Sequence, residues 1–260
     1  MDLQGVGEKA IGSAKHQGER DLPEAIVPDL PLTIIVGNYG SGKSEISVNV
    51  SLGLAAAGHE VRIADLDIVN PYFRCREARE TLESMGVGVL APPGEAFYSD
   101  IPVIIPEIRG AIERPAGFTI FDVGGDDAGA RVLSYFADVI AGGSYELLFV
   151  VNTSRPFTSD ADGIRKVMEE IETAARLQVT AFAANTHLMD ETVPETVLDG
   201  YRVVRDLGRA VGVPVKFCAV ETRLLDEIDR SDIDVPILPI ERFLLPPFAR
   251  RIRKSPLYYL

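Results

Sequence analysis

The sequence contains no tryptophan and only two cysteines, Cys75 and Cys218. The cysteines lie far apart and form no CxxC pair, which excludes a disulfide scaffold, a zinc ribbon and an iron–sulfur cluster held by one chain alone. No run of about 18 apolar residues occurs, so we expect no stable insertion into a membrane. The N-terminal segment also lacks the apolar core of a signal peptide, so we expect a cytoplasmic protein.

Positive charge is scarce relative to negative charge. Lys and Arg total 26 against 39 Asp and Glu, which gives a formal net charge of −13 over 260 residues. A surface this acidic repels phosphate backbones, so we expect no nucleic-acid partner. Hydrophobic residues make up 46% and charged residues 25% of the chain. That balance is typical of an ordinary globular protein and argues against wholesale disorder.

From Leu32 onward, short β-branched apolar runs alternate with helical stretches, whereas residues 1–30 are polar and show no sustained periodicity. The predicted strands are Leu32–Val36, Val61–Asp65, Val87–Leu90, Phe118–Asp122, Leu147–Asn152, Val179–Ala184, Val215–Val220 and, more weakly, Ile237–Pro239. The predicted helices are Ser44–Ala57, Arg74–Met85, Ile104–Glu113, Ala128–Ile140, Ser159–Arg176, Pro194–Val211 and Arg223–Asp229. Such alternation predicts an α/β fold of three αβα layers with a mostly parallel sheet. We therefore predict a flexible extension over residues 1–30 and one domain over residues 31–260.

One segment, Gly37-Asn38-Tyr39-Gly40-Ser41-Gly42-Lys43-Ser44, matches the phosphate-binding pattern GxxxxGK[ST] at every fixed position. It follows a predicted strand and opens a predicted amphipathic helix, which is the context that this motif requires. Backbone N–H groups of such a loop surround a phosphate, and the helix N-terminus adds positive potential. We expect Lys43 to reach the β- and γ-phosphates and Ser44 to bind Mg²⁺. With Glu45 as a further nucleotide-binding residue, the motif predicts a P-loop NTPase.

Two other predicted strands end in carboxylates, at Asp65-Leu66-Asp67 and at Asp122-Val123-Gly124-Gly125. In a parallel sheet beside the P-loop strand, these ends face the phosphates. We expect Asp122 to bind Mg²⁺ directly or through water, and the Gly125 N–H to meet the γ-phosphate. Of Asp65 and Asp67, one can hold a metal-bound water and the other can position the attacking water.

The stretch Leu32–Asp67 resembles the MinD/ParA/CobQ-like ATPases of the SIMIBI class, and the resemblance extends to about Val220. It implies that Asp65 holds a water bound to Mg²⁺ and that Asp67 orients the hydrolytic water, acting as a catalytic residue together with Lys43. Asn38 stands where that family usually carries a signature lysine, which reaches the nucleotide of a partner subunit. Because asparagine cannot supply that charge, the resemblance leaves a homodimer open.

Polar residues also follow the later predicted strands. Asn152 is interpreted as a loop organiser, and Arg155 either reaches a phosphate or, as we favour, is solvated. The resemblance places the nucleobase at Asn185, which can donate to and accept from an adenine edge, with further contacts near Glu221. A guanine site would have Asn-Lys-x-Asp where this chain has Asn-Thr-His-Leu, which favours ATP. His187 is interpreted as structural or exposed.

Together these features predict a protein that binds ATP and Mg²⁺, hydrolyses ATP slowly and acts as a nucleotide-controlled switch on a protein partner. Two other functions stay open: an enzyme that uses ATP to activate a small molecule, as CobQ-like proteins do, and an adaptor that senses nucleotide without catalysis. The segments Pro71–Glu77 and Phe97–Asp100, with their aromatic residues and arginines, either form a partner surface or pack as helices. The basic C-terminal tail is expected to be packed or solvated.

Overall fold

The computed structural model describes residues 28–67, 78–90, 106–115, 117–125 and 127–244. The predicted N-terminal extension as far as residue 27, the segments Pro71–Glu77 and Phe97–Asp100, and the basic C-terminal tail lie outside the described residues. The division into residues 1–30 and 31–260 therefore stays a prediction.

Eight strands of the described residues form one parallel sheet. They are β1 (Leu32–Val36), β2 (Val61–Leu66), β3 (Gly88–Leu90), β4 (Phe118–Val123), β5 (Tyr145–Val151), β6 (Ala181–Ala184), β7 (Val215–Glu221) and β8 (Ile237–Ile240). Their order is β3-β2-β4-β1-β5-β6-β7-β8, and every neighbouring pair runs parallel. The predicted strands are thus confirmed, with ends that shift by one or two residues. The phosphate loop follows β1, a central strand of the sheet.

Seven α-helices of the described residues flank the sheet. They are α1 (Lys43–Ala56), α2 (Arg79–Ser84), α3 (Pro106–Glu113), α4 (Asp127–Ser134), α5 (Ala137–Ala141), α6 (Ala161–Ala175) and α7 (Pro194–Val211). The predicted helices Arg74–Met85 and Ile104–Glu113 are described only from residues 78 and 106. Within the described ranges, no helix combines the length and the apolar character that crossing a membrane requires.

Two predicted helices differ from the structure. The helix expected over Ala128–Ile140 breaks at a turn into α4 and α5, and this turn carries Phe136, whose N–H donates to the Leu133 carbonyl at 2.9 Å, into the core. The helix expected over Arg223–Asp229 is a 3₁₀ turn at Thr222–Leu224 followed by irregular chain. Here tertiary contacts override helical propensity, because the Arg223 side chain donates to carbonyls of a neighbouring loop.

Side chains alternate between the two faces of each strand, so the sheet carries two apolar cores. On one face, Ile34 and Phe149 pack with residues of α4, α6 and α7. On the other face, Ile35 and Leu148 pack with residues of α1 and α2. The arrangement is the predicted three-layer αβα fold, and it leaves the carboxyl ends of the strands as the edge where the loops meet.

Helix α1 is buried on all sides, not on one stripe as its predicted amphipathic pattern implied. Besides its apolar residues it buries Ser47, Asn49 and Ser51 completely. The Asn49 Nδ2 donates to the Glu241 carbonyl at 2.9 Å, and the Glu241 N–H donates back to Asn49 Oδ1 at 2.9 Å. The polar residues of α1 therefore fix the chain after β8 against the helix that follows the phosphate loop.

Candidate functional site

A cavity of about 370 Å³ opens at the carboxyl ends of the strands. One end is bounded by the phosphate loop with Lys43 and Ser44, together with Asp67 and Gly125. The other end is formed by side chains from the loops after β6, β7 and β8. The position at the edge of a parallel sheet and the mixture of apolar walls with a few convergent polar groups are typical of ligand sites in α/β proteins.

The phosphate loop has the geometry that its sequence predicts. Gly42 adopts φ 87°, a left-handed conformation that glycine tolerates, and a Cβ at this position would collide with Asn185 Nδ2. The Lys43 Nζ donates to the Asn38 carbonyl at 3.1 Å, and the Tyr39 N–H donates to Asn38 Oδ1 at 2.7 Å. Asn38 therefore shapes the loop from inside, whereas the Tyr39 side chain is 68% exposed.

Three carboxylates gather beside the loop. Asp65 and Asp122 are paired residues of the neighbouring strands β2 and β4, and the Asp67 N–H donates to Asp65 Oδ1 at 3.0 Å. All three are buried. Burial, the charge of Asp65 and, less strongly, that of Asp67 raise the pKa of Asp122 to about 7, although a hydrogen bond with the Ser44 side chain opposes the shift. The structure thus brings the carboxylates of the two predicted strand ends together beside the phosphate loop, and their roles stay predictions.

This cluster fits a magnesium ion. Asp122 Oδ2 is buried and lacks a hydrogen-bond partner within the described residues, and its other oxygen, Oδ1, accepts from the Ser47 hydroxyl at 3.3 Å. A cation would satisfy this orphaned oxygen and relieve the repulsion that raises the pKa of Asp122. No described group of three or more His, Cys, Asp or Glu side chains has the arrangement of a protein-only metal site. Magnesium does not need a protein-only site, because it takes one or two protein ligands together with phosphate oxygens and waters.

Gly125 lies directly against the loop. A Cβ at this position would stand 2.7 Å from Lys43 Nζ and 2.9 Å from the Tyr39 nitrogen. The absence of a side chain therefore allows the chain after β4 to approach Lys43 and the phosphate loop this closely. The predicted approach of the Gly125 N–H to a γ-phosphate is compatible with this geometry, and the role itself stays a prediction.

Two asparagines hold the loop from the β5 and β6 side. The fully buried Asn152 donates from Nδ2 to the Gly40 and His187 carbonyls, at 3.4 and 3.2 Å. Its role as a loop organiser is confirmed. Asn185 donates from Nδ2 to the Ser41 carbonyl at 2.7 Å, so its amide group is engaged by the phosphate loop. Asn185 also lines the cavity, and its predicted contact with adenine stays a prediction.

Arg155 differs from its predicted environment, whereas His187 fits one of the two interpretations predicted for it. Arg155 is half-buried and donates from Nε to the Gly40 carbonyl at 2.9 Å, so the interpretation as a solvated arginine is wrong. His187 also lines the cavity beside the phosphate loop. Burial and the charges of Arg155 and Arg242 lower the pKa of His187 to about 4, so the imidazole is neutral at pH 7. The interpretation of His187 as a structural residue fits this environment.

The far end of the cavity contains residues that the sequence did not reveal. Arg242, just after β8, pairs with Asp190 and with Glu221, the latter at 2.9 Å. Apolar wall comes from Met189, Val197, Ala219, Ile240 and Leu244. Only Glu221 was expected here. The signal that would have found Arg242 is its position directly after the carboxyl end of a predicted parallel strand.

Glu45 connects the two ends of the cavity. Its carboxylate accepts the Phe243 N–H at 2.5 Å and the Leu244 N–H at 3.2 Å. Burial nevertheless raises the pKa of Glu45 to about 7, since the two backbone bonds offset it only in part. Glu45 lines the cavity, but its described bonds go to the chain after β8, which assigns it a structural role besides the predicted binding one.

The chain is similar to solved structures that include FtsY and the signal recognition particle 54 kDa protein. FtsY of Thermotoga maritima, a cell division protein, matches with 19% identity and a TM-score of 0.50, over 76% of this chain and 64% of that one. FtsY of Mycoplasma mycoides matches with 16% identity and a TM-score of 0.50, over 72% and 59%. The signal recognition particle 54 kDa protein of Aeropyrum pernix K1, solved in complex with GDP, matches with 16% identity and a TM-score of 0.50, over 75% and 43%.

The present chain thus spans less than two thirds of the length of each of these proteins. No protein-family model and no curated protein matches the sequence. At these identities the structural likeness shows the fold. The chain has the three-layer αβα fold of P-loop NTPases.

Proposed function

We propose that this protein binds ATP with Mg²⁺, hydrolyses it slowly and acts as a nucleotide-controlled switch on a protein partner. The observation that carries the proposal is the convergence of a complete phosphate loop and three buried carboxylates, Asp65, Asp67 and Asp122, at one edge of the sheet. A closer relation to the MinD/ParA/CobQ-like ATPases is part of the proposal, supported by the Asp65-Leu66-Asp67 strand end. Homodimer formation is left open, as Asn38 implies.

In this proposal, each residue of the site acts on the phosphates or on the attacking water. Lys43 neutralises the β- and γ-phosphates, and the Gly125 N–H, close to the lysine, meets the γ-phosphate. Ser44 and Asp122 would hold Mg²⁺, and Asp65 would act on the ion through water. Bound Mg²⁺ would supply positive charge to the phosphate oxygens. Asp67 orients the water for attack on the γ-phosphorus, and its backbone bond to Asp65 fixes its position.

The proposal includes a choice of nucleobase, with adenine preferred over guanine. ATP is supported by the absence of Asn-Lys-x-Asp after β6. One observation favours guanine as a second candidate: the Glu221 carboxylate lines the nucleoside end of the cavity, and a carboxylate can accept from the N–H groups of a guanine edge. The Aeropyrum pernix neighbour, which was solved with GDP, is consistent with that candidate.

Hydrolysis and affinity measured with both nucleotides test the proposal. We expect Mg²⁺-dependent release of phosphate from ATP, and tighter binding of ATP than of GTP by about tenfold or more, which corresponds to about 1.4 kcal/mol. Tighter binding of GTP with Mg²⁺-dependent hydrolysis would transfer the proposal to the guanine candidate. Binding of neither nucleotide would overturn it.

A further inference from the structure

Arg155 occupies a particular place beside the phosphate loop. Its Nε–H donates to the Gly40 carbonyl at 2.9 Å, and the side chain lines the cavity. Within the described ranges, no residue accepts a hydrogen bond from its two Nη groups. A guanidinium has five N–H donors in a planar fork. One donor is used to fix the group on the loop, and four remain for a ligand in the cavity.

The loop that carries Arg155 is itself fixed. The Arg155 N–H donates to the Asn152 carbonyl at 3.2 Å, and the Thr158 hydroxyl donates to the same carbonyl at 2.7 Å. The Ser154 N–H donates to Asn152 Oδ1 at 2.9 Å. Because Asn152 also donates to the Gly40 carbonyl, this loop and the phosphate loop share one hydrogen-bonded organiser. The guanidinium is therefore held in position before any ligand binds, which is the condition for electrostatic preorganisation.

The electrostatic setting also favours an anion at this place. Burial is the main cause of the lowered pKa of His187, and the charge of Arg155 lowers it further, so this charge acts on the cavity wall. The Lys43 Nζ donates to the Asn38 carbonyl of the phosphate loop, and the Arg155 Nε–H donates to the Gly40 carbonyl of the same loop. A triphosphate in the loop would therefore meet two cations, Lys43 and Arg155. Asn38 brings no cation to this site, so the chain itself supplies the second positive charge from the loop after β5.

The geometry points to Arg155 as a catalytic residue that contacts the bound triphosphate beside Gly40 of the phosphate loop. The inference rests on the proposed nucleotide hydrolysis and adds to it the source of the second cation. In the reaction, the water oxygen bonds to the γ-phosphorus while the bond from that phosphorus to the β–γ bridging oxygen breaks. The electron pair of the broken bond stays on the diphosphate, and the proton of the water ends on the released phosphate. Arg155 donates N–H groups to phosphate oxygens whose negative charge grows in this step.

A purely structural role is the alternative, in which Arg155 only holds Gly40 in place. The two roles differ in kinetics. A transition-state contact contributes to kcat, whereas a distorted loop weakens the binding of substrate and raises KM. They differ also in rescue, because guanidinium added from solution can replace a missing contact to phosphate but cannot rebuild a loop.

The test is ATP hydrolysis by wild type, Arg155→Ala, Arg155→Lys and the exposed control Arg165→Ala. We expect Arg155→Ala to lower kcat by about 100-fold with a smaller change in KM. Low concentrations of guanidinium chloride should restore part of the lost kcat, whereas the same concentrations of sodium chloride should not. Arg155→Lys, which keeps the charge and most of the packing, should retain intermediate activity. Arg165→Ala should match wild type. If Arg155→Ala does not fold, the comparison of Arg155→Lys with wild type decides, with a lower kcat expected.

An unchanged kcat in Arg155→Ala, or a rise in KM alone without rescue by guanidinium, would overturn the inference. If Arg155→Ala is unfolded, a kcat of Arg155→Lys equal to that of wild type would also overturn the inference. Wild-type hydrolysis that persists in these cases would leave the proposed function intact. Absence of nucleotide binding and hydrolysis in the wild type would overturn both.

Discussion

At the scale of single residues, the role proposed for Asp67 predicts different effects on nucleotide binding and on hydrolysis. Its backbone N–H is fixed on Asp65, and its side chain lies against Gly124 at the edge of the cavity. If it orients the attacking water, its effect falls on the transition state and little on the bound ground state. We expect Asp67→Ala to bind ATP nearly as wild type does but to lose about 100-fold in single-turnover hydrolysis. The exposed Asp226→Ala is the matched control, and full activity in Asp67→Ala would place the role elsewhere.

Gly125 gives a second prediction at this scale. A methyl group at this position would stand 2.7 Å from Lys43 Nζ, whereas a methyl group at the control position Gly143 meets no atom closer than 3.7 Å. We expect Gly125→Ala to weaken triphosphate binding by at least about tenfold through displacement of the lysine, since contacts below van der Waals distance force a shift. Gly143→Ala should bind as wild type does. Equal affinities of both variants for an ATP analogue would show that the lysine tolerates the change.

At the scale of elements, the chain after β8 and helix α1 behave as one unit. Glu45 and Asn49 of α1 bind the backbone of residues 241–244, which also form a wall of the cavity. The last described segment is thereby coupled to the helix that opens at the phosphate loop. A change in the protonation of Glu45 should therefore change the stability of this unit.

The pH dependence of stability tests this coupling. Glu45 has a pKa of about 7 in the folded protein against 4.5 as its ordinary value, so the folded state holds the proton more tightly. The stability contributed by this group is present below pH 4.5 and is lost as the pH rises towards 7. We expect Glu45→Gln, which cannot ionise, to gain stability relative to wild type between about pH 5 and about pH 8. Urea unfolding of the nucleotide-free proteins measures the free energy of unfolding at each pH, with the exposed Glu227→Gln as control. A stability difference between Glu45→Gln and wild type that does not change with pH would contradict the prediction.

The phosphate loop and the strands could be predicted because their signals are local. Gly42 and Lys43 belong to one short motif, and each strand is a continuous apolar run. The break between α4 and α5 could not be predicted from the sequence. The chain turns at Phe136 because the assembled core buries this ring. Arg242 likewise meets Asp190 across 52 residues of sequence. Contacts of that kind follow from the assembled sheet and leave no trace in local composition.

At the scale of the whole molecule, an acidic chain places cations along the candidate nucleotide cavity. The net charge is −13, yet Lys43, Arg155 and Arg242 all line the cavity. The carboxylates Asp65, Asp67 and Asp122 gather at the phosphate end, where a magnesium ion would balance them. The fold brings these groups together from the ends of five strands, β1, β2, β4, β5 and β8, and this edge of the sheet is where P-loop proteins of this architecture bind nucleotide.

The most direct test of this account is a calorimetric titration of a non-hydrolysable ATP analogue, with and without Mg²⁺, into wild type and Lys43→Ala. Removing the buried lysine takes positive charge from the phosphate loop, and the exposed Lys166→Ala serves as control. We predict saturable, Mg²⁺-strengthened binding in wild type and Lys166→Ala, and a loss of about 100-fold or more in a Lys43→Ala protein that still unfolds cooperatively. Equal affinity of wild type and Lys43→Ala for the analogue would contradict the assignment of the phosphate loop.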